Sequence, residues 1–294
     1  MIRTADDHSI EKHRGAKRVV EGLQRAGFEA YFVGGCVRDF VRGVSPGDYD
    51  IATSALPDQV IRLFERTVAV GAKFGVVVVR EGGFSYEVAT FRSDEGYEDG
   101  RRPTQVRFSS AREDVLRRDF TINGLLMDPE TNAIIDYVGG RADIGKKMIR
   151  TIGDPGVRFN EDHLRMLRAI RFAANLDFHL DDGVRDAIAR HAVKIREISA
   201  ERVQEELNKI LTRSGARRGL EWMAETGLLK QVLPEVDRMR GVAQPPRFHP
   251  EGDVWRHTLI MMEMLSGEGK PEADAALAWG ALLHDVGKPV TRTE

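Results

Sequence analysis

The sequence contains a single cysteine, Cys36, so no disulfide can form within the chain, and a cytoplasmic, reducing location is expected. It lacks an apolar run long enough to cross a membrane, and its polar first segment, MIRTADDHSIEKHRG, predicts no signal peptide. A strong charge of either sign is also absent, because 44 basic residues nearly balance 46 acidic ones and leave a net charge of −2. The total charge therefore indicates no nucleic-acid partner, and any such surface has to be a local cluster.

The residues that are present are sufficient for several hydrophobic cores. The chain has 294 residues, of which 41% are apolar and 31% are charged, as in globular proteins of two or more domains. Helix and strand patterns alternate up to about residue 150, and only helical periodicity follows. The sequence predicts an α/β head over 1–150, a helical neck and body over 151–240, and a last helical region over 241–294. The Pro- and Gly-rich segment RGVAQPPRFHPEGD is typical of a linker between the last two.

Several head segments have clear helix or strand patterns. GAKRVVEGLQRAG predicts a helix that ends at Gly27, and EAYFVGG and YDIAT predict strands. FGVVVVREGGFSYEVATFR predicts a hairpin with its turn at EGG. The polar segment SDEGYEDGRRPTQ, residues 93–105, predicts a flexible loop.

Two aspartates, Asp48 and Asp50, stand one residue apart in GDYDIATSA. On a strand, that spacing points both carboxylates to one face, where they repel each other unless a cation is bound. Glu87 lies in SYEVATFR, on a strand that can run beside them, and would complete a set of three carboxylates. Carboxylate oxygens are ligands that Mg²⁺ prefers, although a D-x-D pair taken alone is also explained by a solvated turn.

A pair of glycines precedes these carboxylates. FVGGCVRD runs from a predicted strand through Gly34 and Gly35 into a predicted helix that carries Arg38. Glycines let the backbone approach a ligand closely, and a helix start presents free N–H groups to an anion. The spacing is not that of the G-x-x-x-x-G-K-[ST] phosphate loop, and the pair alone is a weak signal. Next to the D-x-D pair, however, it favours a metal-assisted phosphate site over a turn.

Several motifs in this order resemble class II nucleotidyltransferases of the DNA polymerase β-like superfamily. GGCVRD followed by DYDIAT resembles their first motif, and RRDFTING, residues 117–124, resembles their second. The resemblance continues through GDPGVRFNEDHLRMLRAIRFAA and SAERVQEELNKIL. Within the superfamily the sequence is most similar to tRNA nucleotidyltransferases, or CCA-adding enzymes, with bacterial poly(A) polymerases as near relatives.

The resemblance implies a fold and a reaction. The expected fold is a small mixed sheet with helices as the catalytic head, followed by an all-α neck and body in an elongated, multi-domain chain. The expected reaction adds C and A from CTP and ATP to the 3′ end of tRNA and releases pyrophosphate, with Mg²⁺ in a two-metal mechanism. An A-adding enzyme and a poly(A) polymerase share these motifs and stay open as alternatives. Rivals from other classes are an HD-domain phosphohydrolase and a non-catalytic RNA-binding module, and nothing in the sequence predicts an oligomeric state.

The resemblance also implies roles for individual residues. The implied metal-binding and catalytic carboxylates are Asp48, Asp50 and Glu87. The implied nucleotide-binding residues of the head are Gly34, Gly35 and Arg38 at the triphosphate, Arg118 and Asp119 at the ribose, and Asn123 nearby. In relatives, a flexible loop at the position of residues 93–105 helps to switch the pocket from C to A, so its presence here favours addition of the terminal A.

A second site is predicted in the segment EDHLR. If residues 160–174 form one helix, its polar face carries Glu161, Asp162, Arg165 and Arg168. Asp162 and Arg165 are i,i+3 neighbours, and a surface ion pair is the simple interpretation. The family resemblance implies instead that this motif selects the base, with Arg168 close by. A carboxylate accepts from an exocyclic amine and a guanidinium donates to a ring nitrogen or carbonyl, so such a pair admits C and A and rejects U and G.

Near the C-terminus, HTL followed by HDVGKP resembles an HD-type metal site. The resemblance implies that His257, His284 and Asp285 bind a divalent ion, and His and carboxylate ligands suit transition metals. A family HD site also needs a later aspartate, which this sequence does not supply. We therefore expect a chain cut within that domain or an incomplete site, and no phosphohydrolase activity.

The helical half also contains a basic cluster, TRSGARRG, with Arg213, Arg217 and Arg218. A solvated helix start explains it, and contact with the RNA backbone is the alternative.

Overall fold

The computed structural model describes residues 5–71, 75–98, 102–245, 247, 249–267 and 270–291. The chain divides into two compact units. Of the described residues, the first unit comprises 5–71, 75–97, 103–146 and 150–153, and the second comprises 98, 102, 147–149 and those from 154 to 291. The domain divisions predicted at residues 150 and 240 stay predictions.

The head of the chain combines strands and helices. Its helices are α1 (Ala5–Arg25), α2 (Gly35–Val41), α3 (Pro57–Leu63), α4 (Ala111–Leu116), the 3₁₀ helix Thr121–Asn123, and α5 (Gly140–Gly145). Its strands are β1 (Ala30–Val33), β2 (Asp50–Thr53), β3 (Thr67–Gly71), β4 (Val76–Glu81), β5 (Phe84–Thr90), β6 (Arg92–Glu98), β7 (Arg102–Phe108), β8 (Leu125–Met127) and β9 (Ile134–Asp136).

Seven of these strands form one mixed sheet in the order β3-β4-β5-β2-β1-β8-β9. β2 and β5 run parallel, and the other neighbouring pairs run antiparallel. The parallel pair aligns Asp50 with Glu87. This mixed sheet with helices confirms the fold class predicted for the head.

Helix α1 packs an apolar stripe against the sheet. Its fully buried side chains include Ala16, Val19, Val20 and Leu23, whose spacing puts them on one helix face. The helix contacts β1, β2 and β4. Burying a Val or Leu side chain contributes about 1.5–3 kcal/mol, so this stripe holds α1 on the sheet. The helix ends before Gly27, as predicted, where a φ of +88° suits glycine.

The predicted hairpin is confirmed as β4 and β5. Gly82 and Gly83 join the strands with φ values of +60° and +86°. Positive φ at both central residues is the geometry that a type I′ hairpin turn requires, and glycine adopts it without steric strain.

The prediction of a loop over residues 93–105 is wrong for most of its length. β6 and β7 cover much of it and pair with each other as a separate two-stranded sheet, while residues 99–101 lie outside the described part of the chain. The sequence of β7, RPTQVRF, places Thr, Val and Phe at alternate positions, and these residue types favour strands.

The second unit is mainly helical, which confirms the predicted helical body. Its helices are α6 (Pro155–Glu161), α7 (Arg165–Leu176), α8 (Asp182–His191), the 3₁₀ helix Ala192–Glu197, α9 (Ala200–Leu211), α10 (Ala216–Glu225), α11 (Leu228–Val232), α12 (Pro234–Asp237), α13 (Val254–Ser266), α14 (Ala275–Leu283) and α15 (Lys288–Thr291). Two short strands, β10 (Met148–Ile149) and β11 (His179–Leu180), pair in parallel. No helix in the described ranges is long and apolar enough to cross a membrane.

The single helix predicted over residues 160–174 is two helices. α6 ends at Glu161 and α7 begins at Arg165. Between them Asp162 has an extended backbone, with φ of −149° and ψ of 107°, and its Oδ1 accepts the Leu164 N–H at 3.1 Å. An aspartate side chain that bonds a nearby backbone N–H competes with helix continuation, which accounts for the break.

Candidate active site

The glycine turn between β1 and α2 brings predicted site residues together. Gly34 has a φ of +71°, in the region that favours glycine. A Cβ atom built on Gly34 would lie 3.5 Å from Arg118 Nη1 and 3.9 Å from Asp50 Oδ2, and one built on Gly35 would lie 3.6 Å from Arg38 Nη2. Because the turn carries no side chain, the backbone approaches two arginines and a carboxylate closely.

Asp50 and Glu87 are aligned on adjacent parallel strands, β2 and β5. Desolvation, and then the negative charge of Glu87, raises the pKa of Asp50 above its ordinary value, and Asp48 acts in the same direction. The positive charge of Arg118 opposes this shift without cancelling it. Burial and the neighbouring carboxylates therefore disfavour the ionised form of Asp50, and a bound cation would favour it.

Asp48 lies in the loop before β2, so the predicted placement of both aspartates on one strand holds for Asp50 alone. Its side chain is 91% exposed, and its Oδ1 accepts a hydrogen bond from Lys12 Nζ at 2.6 Å. Among the residues that the structure describes, Asp48, Asp50 and Glu87 do not form a set whose ligand atoms all lie within 4.8 Å of one another. As carboxylates they still supply the oxygen ligands that a hard divalent cation prefers.

A buried carboxylate that the sequence analysis missed holds Arg118. Asp114 is 1% exposed and accepts hydrogen bonds from Arg118 Nη2 at 2.8 Å and Arg117 Nη2 at 2.6 Å. Burial by itself raises the pKa of Asp114, but the charges of Arg118 and Arg117 outweigh it and lower the pKa below its usual value. The i,i+3 and i,i+4 spacing within EDVLRRD is the sequence signal that predicts these pairs.

A second network joins α2 to the 3₁₀ helix. Arg38 Nη1 donates to Asn123 Oδ1 at 3.0 Å, and Asn123 Nδ2 donates to Asp119 Oδ1 at 3.4 Å. Asp119 Oδ1 also accepts the Phe120 N–H at 2.8 Å. Arg38, Asp119 and Asn123, all predicted as nucleotide-binding residues, are thus brought together by direct side-chain contacts.

The residues of EDHLR lie in the second unit, and their partners differ from those expected. Asp162 Oδ2 accepts a hydrogen bond from Arg202 Nη2 at 3.0 Å, whereas Arg165 Nη1 donates to Glu161. Asp162 thus pairs with Arg202 and Arg165 pairs with Glu161, while the backbone N–H of Arg165 donates to the Asp162 carbonyl oxygen at 3.0 Å. Arg165 is only 9% exposed, and Arg168 lies with its guanidinium carbon 5.5 Å from the centre of the Phe172 ring.

The basic cluster of the second unit is matched by acidic side chains. Arg213 Nε lies 3.3 Å from Glu272 Oε1, Arg217 bonds Glu263 and Glu221, and Arg218 bonds Asp177. These pairs fit the interpretation of a solvated surface, and RNA contact at this cluster stays a prediction.

Comparison with known proteins places these features in a family. The poly A polymerase head domain matches residues 30–150, and the probable RNA and SrmB-binding site of polymerase A matches residues 177–240. A CCA-adding enzyme of Geobacillus sp. (strain WCH70) is 48% identical over 219 residues, which are 74% of this chain and 54% of that protein. A CCA-adding enzyme of Bacillus licheniformis is 43% identical over 253 residues, 84% of this chain and 63% of that protein. Residues 30–150 belong to the poly A polymerase head domain family, and the chain is similar to CCA-adding enzymes over about three quarters of its length.

Solved structures of the family show the same architecture. The Bacillus stearothermophilus CCA-adding enzyme in complex with CTP is 42% identical, with a TM-score of 0.71 over 78% of this chain and 56% of that chain. The Thermotoga maritima CCA-adding enzyme complexed with tRNA is 20% identical, with a TM-score of 0.65 over 95% of this chain and 66% of that chain, and shows a likeness of fold. The chain spans about half the length of its Geobacillus relatives, 54% and 52%.

Beyond the two family regions, the second unit contains a histidine cluster. His257, His284 and Asp285, the predicted HD-type residues, have ligand atoms within 4.8 Å of one another. His249 and Glu251, which the sequence analysis missed, form a second such set with His257. Glu251 Oε1 lies 2.6 Å from His257 Nδ1 and 3.1 Å from His249 Nδ1. Its own backbone N–H, followed by His249 and His257, lowers the pKa of Glu251 to about 2.

Proposed function

We propose that this chain adds C and A from CTP and ATP to the 3′ end of tRNA, without a nucleic-acid template, and releases pyrophosphate. The observation that carries the proposal is the alignment of Asp50 with Glu87 beside Gly34 and Arg118, in a chain 48% identical to a CCA-adding enzyme. The CTP bound by the Bacillus stearothermophilus relative supports the choice of substrate. The location is proposed to be cytoplasmic, which suits the free, buried thiol of Cys36.

The metal-binding residues in this proposal are Asp48, Asp50 and Glu87. They supply carboxylate oxygens, which are ligands that Mg²⁺ prefers. Desolvation, and then the negative charge of Glu87, raises the pKa of Asp50, and a bound cation would oppose both effects. When bound, Mg²⁺ lowers the pKa of the attacking 3′-hydroxyl and neutralises negative charge on the phosphates.

The nucleotide is proposed to bind along the glycine turn of the first unit. Gly34 and Gly35 let a triphosphate approach the backbone, and Arg118 supplies positive charge beside Asp50. Asp114 fixes the guanidinium of Arg118 in place, so this charge needs little reorganisation when substrate binds. The ribose contacts are proposed for Arg118 and Asp119.

Base selection is proposed for Asp162 and Arg165, with Arg168 nearby. Each oxygen of a carboxylate has two lone pairs, so Asp162 can accept from the amine of cytosine or adenine while it remains bonded to Arg202. Uracil and guanine present a carbonyl oxygen there instead, and two facing acceptors are unfavourable. Arg202 pairs with Asp162, and Glu161 pairs with Arg165. These ion pairs favour a fixed orientation of the two base-selecting side chains.

We also propose that the histidine cluster binds a transition metal ion. His284 Nδ1 lies 2.8 Å from the Ala281 carbonyl oxygen, which only accepts, so Nδ1 carries the proton. His257 Nδ1 and His249 Nδ1 likewise donate to the Glu251 carboxylate. His249 and His257 therefore present an Nε2 lone pair, whereas His284 Nε2 lies 3.1 Å from Asp285 Oδ2, an oxygen that a bound ion would share with it. Imidazole with carboxylate is a ligand set typical of transition metals.

The test of the main proposal uses Mg²⁺, CTP and ATP with three tRNAs that end before the CCA, after the first C, and after CC. The 3′ ends of the products are then sequenced. Growth of all three to a single CCA is the expected result. Extension of only the CC-ended tRNA by one A indicates an A-adding enzyme, and long A tails indicate a poly(A) polymerase. Absence of extension with every tRNA contradicts the proposal.

A further inference from the structure

The predicted metal ligand Asp48 already has a cationic partner from the start of the chain. Lys12 lies on α1, and its ammonium is 2.6 Å from Asp48 Oδ1 and 2.5 Å from the Gly47 carbonyl oxygen. The two partners differ in exposure, because the Lys12 side chain is 20% exposed and that of Asp48 is 91% exposed. Lys12 thus reaches from a packed helix to a carboxylate on an open loop.

The position of Lys12 is fixed by its backbone. The hydroxyl of Tyr86, a residue only 1% exposed, donates to the Lys12 carbonyl oxygen at 2.8 Å. Gly15 permits this approach, because a Cβ atom there would lie 2.2 Å from the Tyr86 hydroxyl oxygen. The next residue, His13, packs against the ring of Tyr49, with ring centroids 5.4 Å apart. These contacts aim the side chain of Lys12 at the loop that carries Asp48.

The charges around Asp48 make this contact significant. The negative charges of Glu87 and Asp48 act on Asp50, and Arg118 acts as the opposing positive charge. Lys12 adds a second positive charge, placed on Asp48 itself. A lysine ammonium is a compact point charge on a flexible stem, so it can neutralise a carboxylate and leave it again.

We propose that Lys12 is a positioning residue of the metal site, which neutralises Asp48 before a divalent ion binds and must release Asp48 when the ion arrives. This inference rests on the proposed function, because it takes Asp48 as a metal ligand. Competition from Lys12 weakens the binding of the free ion. The ion is then held well only when a nucleotide triphosphate brings further negative charge and oxygen ligands.

The test is Mn²⁺ binding without nucleotide, measured by electron paramagnetic resonance on the full chain. All proteins carry His257→Asn and His284→Asn, so that the histidine cluster does not contribute. Lys12→Met is expected to bind Mn²⁺ roughly three- to tenfold more tightly, because a neighbouring positive charge is removed from a solvent-exposed carboxylate. Lys12→Arg keeps the charge and should bind as the parent does. Lys17→Met is the matched control, since Lys17 lies on the same helix and pairs with Glu21.

The variant Asp48→Asn, also with His257→Asn and His284→Asn, distinguishes failure of the Lys12 proposal from failure of the proposed function. If it abolishes Mn²⁺ binding while Lys12→Met leaves the affinity unchanged or weaker, the role of Lys12 is refuted and the metal site stands. If Asp48→Asn itself leaves binding unchanged, the metal site and the proposed function that depends on it are refuted. Far-ultraviolet circular dichroism and thermal unfolding establish that each variant is folded.

Discussion

At the scale of single residues, Asp114 shows how a buried carboxylate positions an arginine beside the glycine turn. Asp114→Asn keeps the shape of the side chain but removes the charge that holds Arg118 and Arg117. We expect the free energy of unfolding at pH 7 to fall by about 3 kcal/mol, because buried positive charge loses its partner. The KM for CTP should rise as Arg118 loses its fixed position. Urea unfolding and steady-state kinetics measure these two effects.

The pH dependence of Asp114 follows from the sign of its shift. The pKa is lowered in the folded state, so the stabilisation is fully present above the unfolded-state pKa of about 3.9. It is lost as the pH falls through the folded-state pKa. The difference in unfolding free energy between wild type and Asp114→Asn should be constant from pH 7 to about 5 and shrink below about 4. A difference that persists unchanged to pH 2 contradicts this account.

The base-selecting pair gives a second prediction at this scale. Asp162→Asn should raise incorporation of U and G relative to C and A by about tenfold, because the amide offers a donor as well as an acceptor. Arg202→Met should move selection in the same direction by less, since it frees the Asp162 carboxylate to reorient. The measurement is kcat/KM for each of the four nucleoside triphosphates. Arg185→Met, in an exposed pair on α8, is the control, and a lower rate with unchanged selection in Asp162→Asn argues against the template role.

At the scale of elements, a glycine sets how closely α7 and α10 approach each other. Gly215 precedes α10 with a φ of +93°, and a Cβ atom there would lie 2.2 Å from the Ala174 carbonyl oxygen on α7. We expect Gly215→Ala to lower the free energy of unfolding by about 3 kcal/mol.

Gly227→Ala is the matched control for that change. Gly227 has a φ of +77° at the start of α11, but a Cβ atom there would meet nothing within 4 Å. Gly227→Ala should therefore lower the free energy of unfolding only by the backbone strain, about 1–2 kcal/mol. Urea unfolding measures both variants. Equal losses of unfolding free energy in Gly215→Ala and Gly227→Ala would mean that the close contact with Ala174 does not add to the cost.

Elements with strong local signals could be predicted from the sequence. The hairpin of β4 and β5 combines two β-rich runs with a Gly-Gly turn, and α1 has a regular apolar face, so their types were foreseeable. The break at Asp162 was not, because it depends on one side chain bonding the backbone at Leu164 in competition with an otherwise helical pattern. The strand β6 could not be foreseen because its sequence, RSDEGYE, is polar and contains glycine, as is typical of loops.

At the scale of the whole molecule, the sequence indicates which residues carry chemistry better than it indicates their partners. The motifs singled out Asp50, Glu87 and the glycine turn, and the sheet then aligned the two carboxylates. The contact of Lys12 with Asp48 joins residues that are distant in sequence, as does that of Asp162 with Arg202. Periodicity predicts the face on which a residue lies, but a partner across the fold depends on tertiary packing.

The histidine cluster also combines residues that are distant in sequence, and it gives a further prediction. Glu251→Gln should weaken Co²⁺ or Zn²⁺ binding by about 10- to 100-fold, because the amide no longer fixes the Nδ1–H tautomer of His257. Isothermal titration measures the affinity, with Glu235→Gln on α12 as the control. Unchanged affinity in Glu251→Gln would show that this carboxylate has no part in metal binding. Phosphohydrolase activity is expected to be absent in all of these proteins.

The proposed CCA addition depends most directly on Asp50 and Glu87, the aligned carboxylates proposed to hold Mg²⁺. The most direct measurement compares wild type with Asp50→Asn on a tRNA that ends before the CCA, with Mg²⁺, CTP and ATP, and sequences the 3′ ends. We predict a single CCA with wild type and at least a hundredfold slower extension with Asp50→Asn, about 2.7 kcal/mol in barrier, with the fold intact by circular dichroism. Asp58→Asn, on α3 of the same unit, should behave as wild type. Near-normal extension by folded Asp50→Asn would contradict a role of Asp50 in CCA addition.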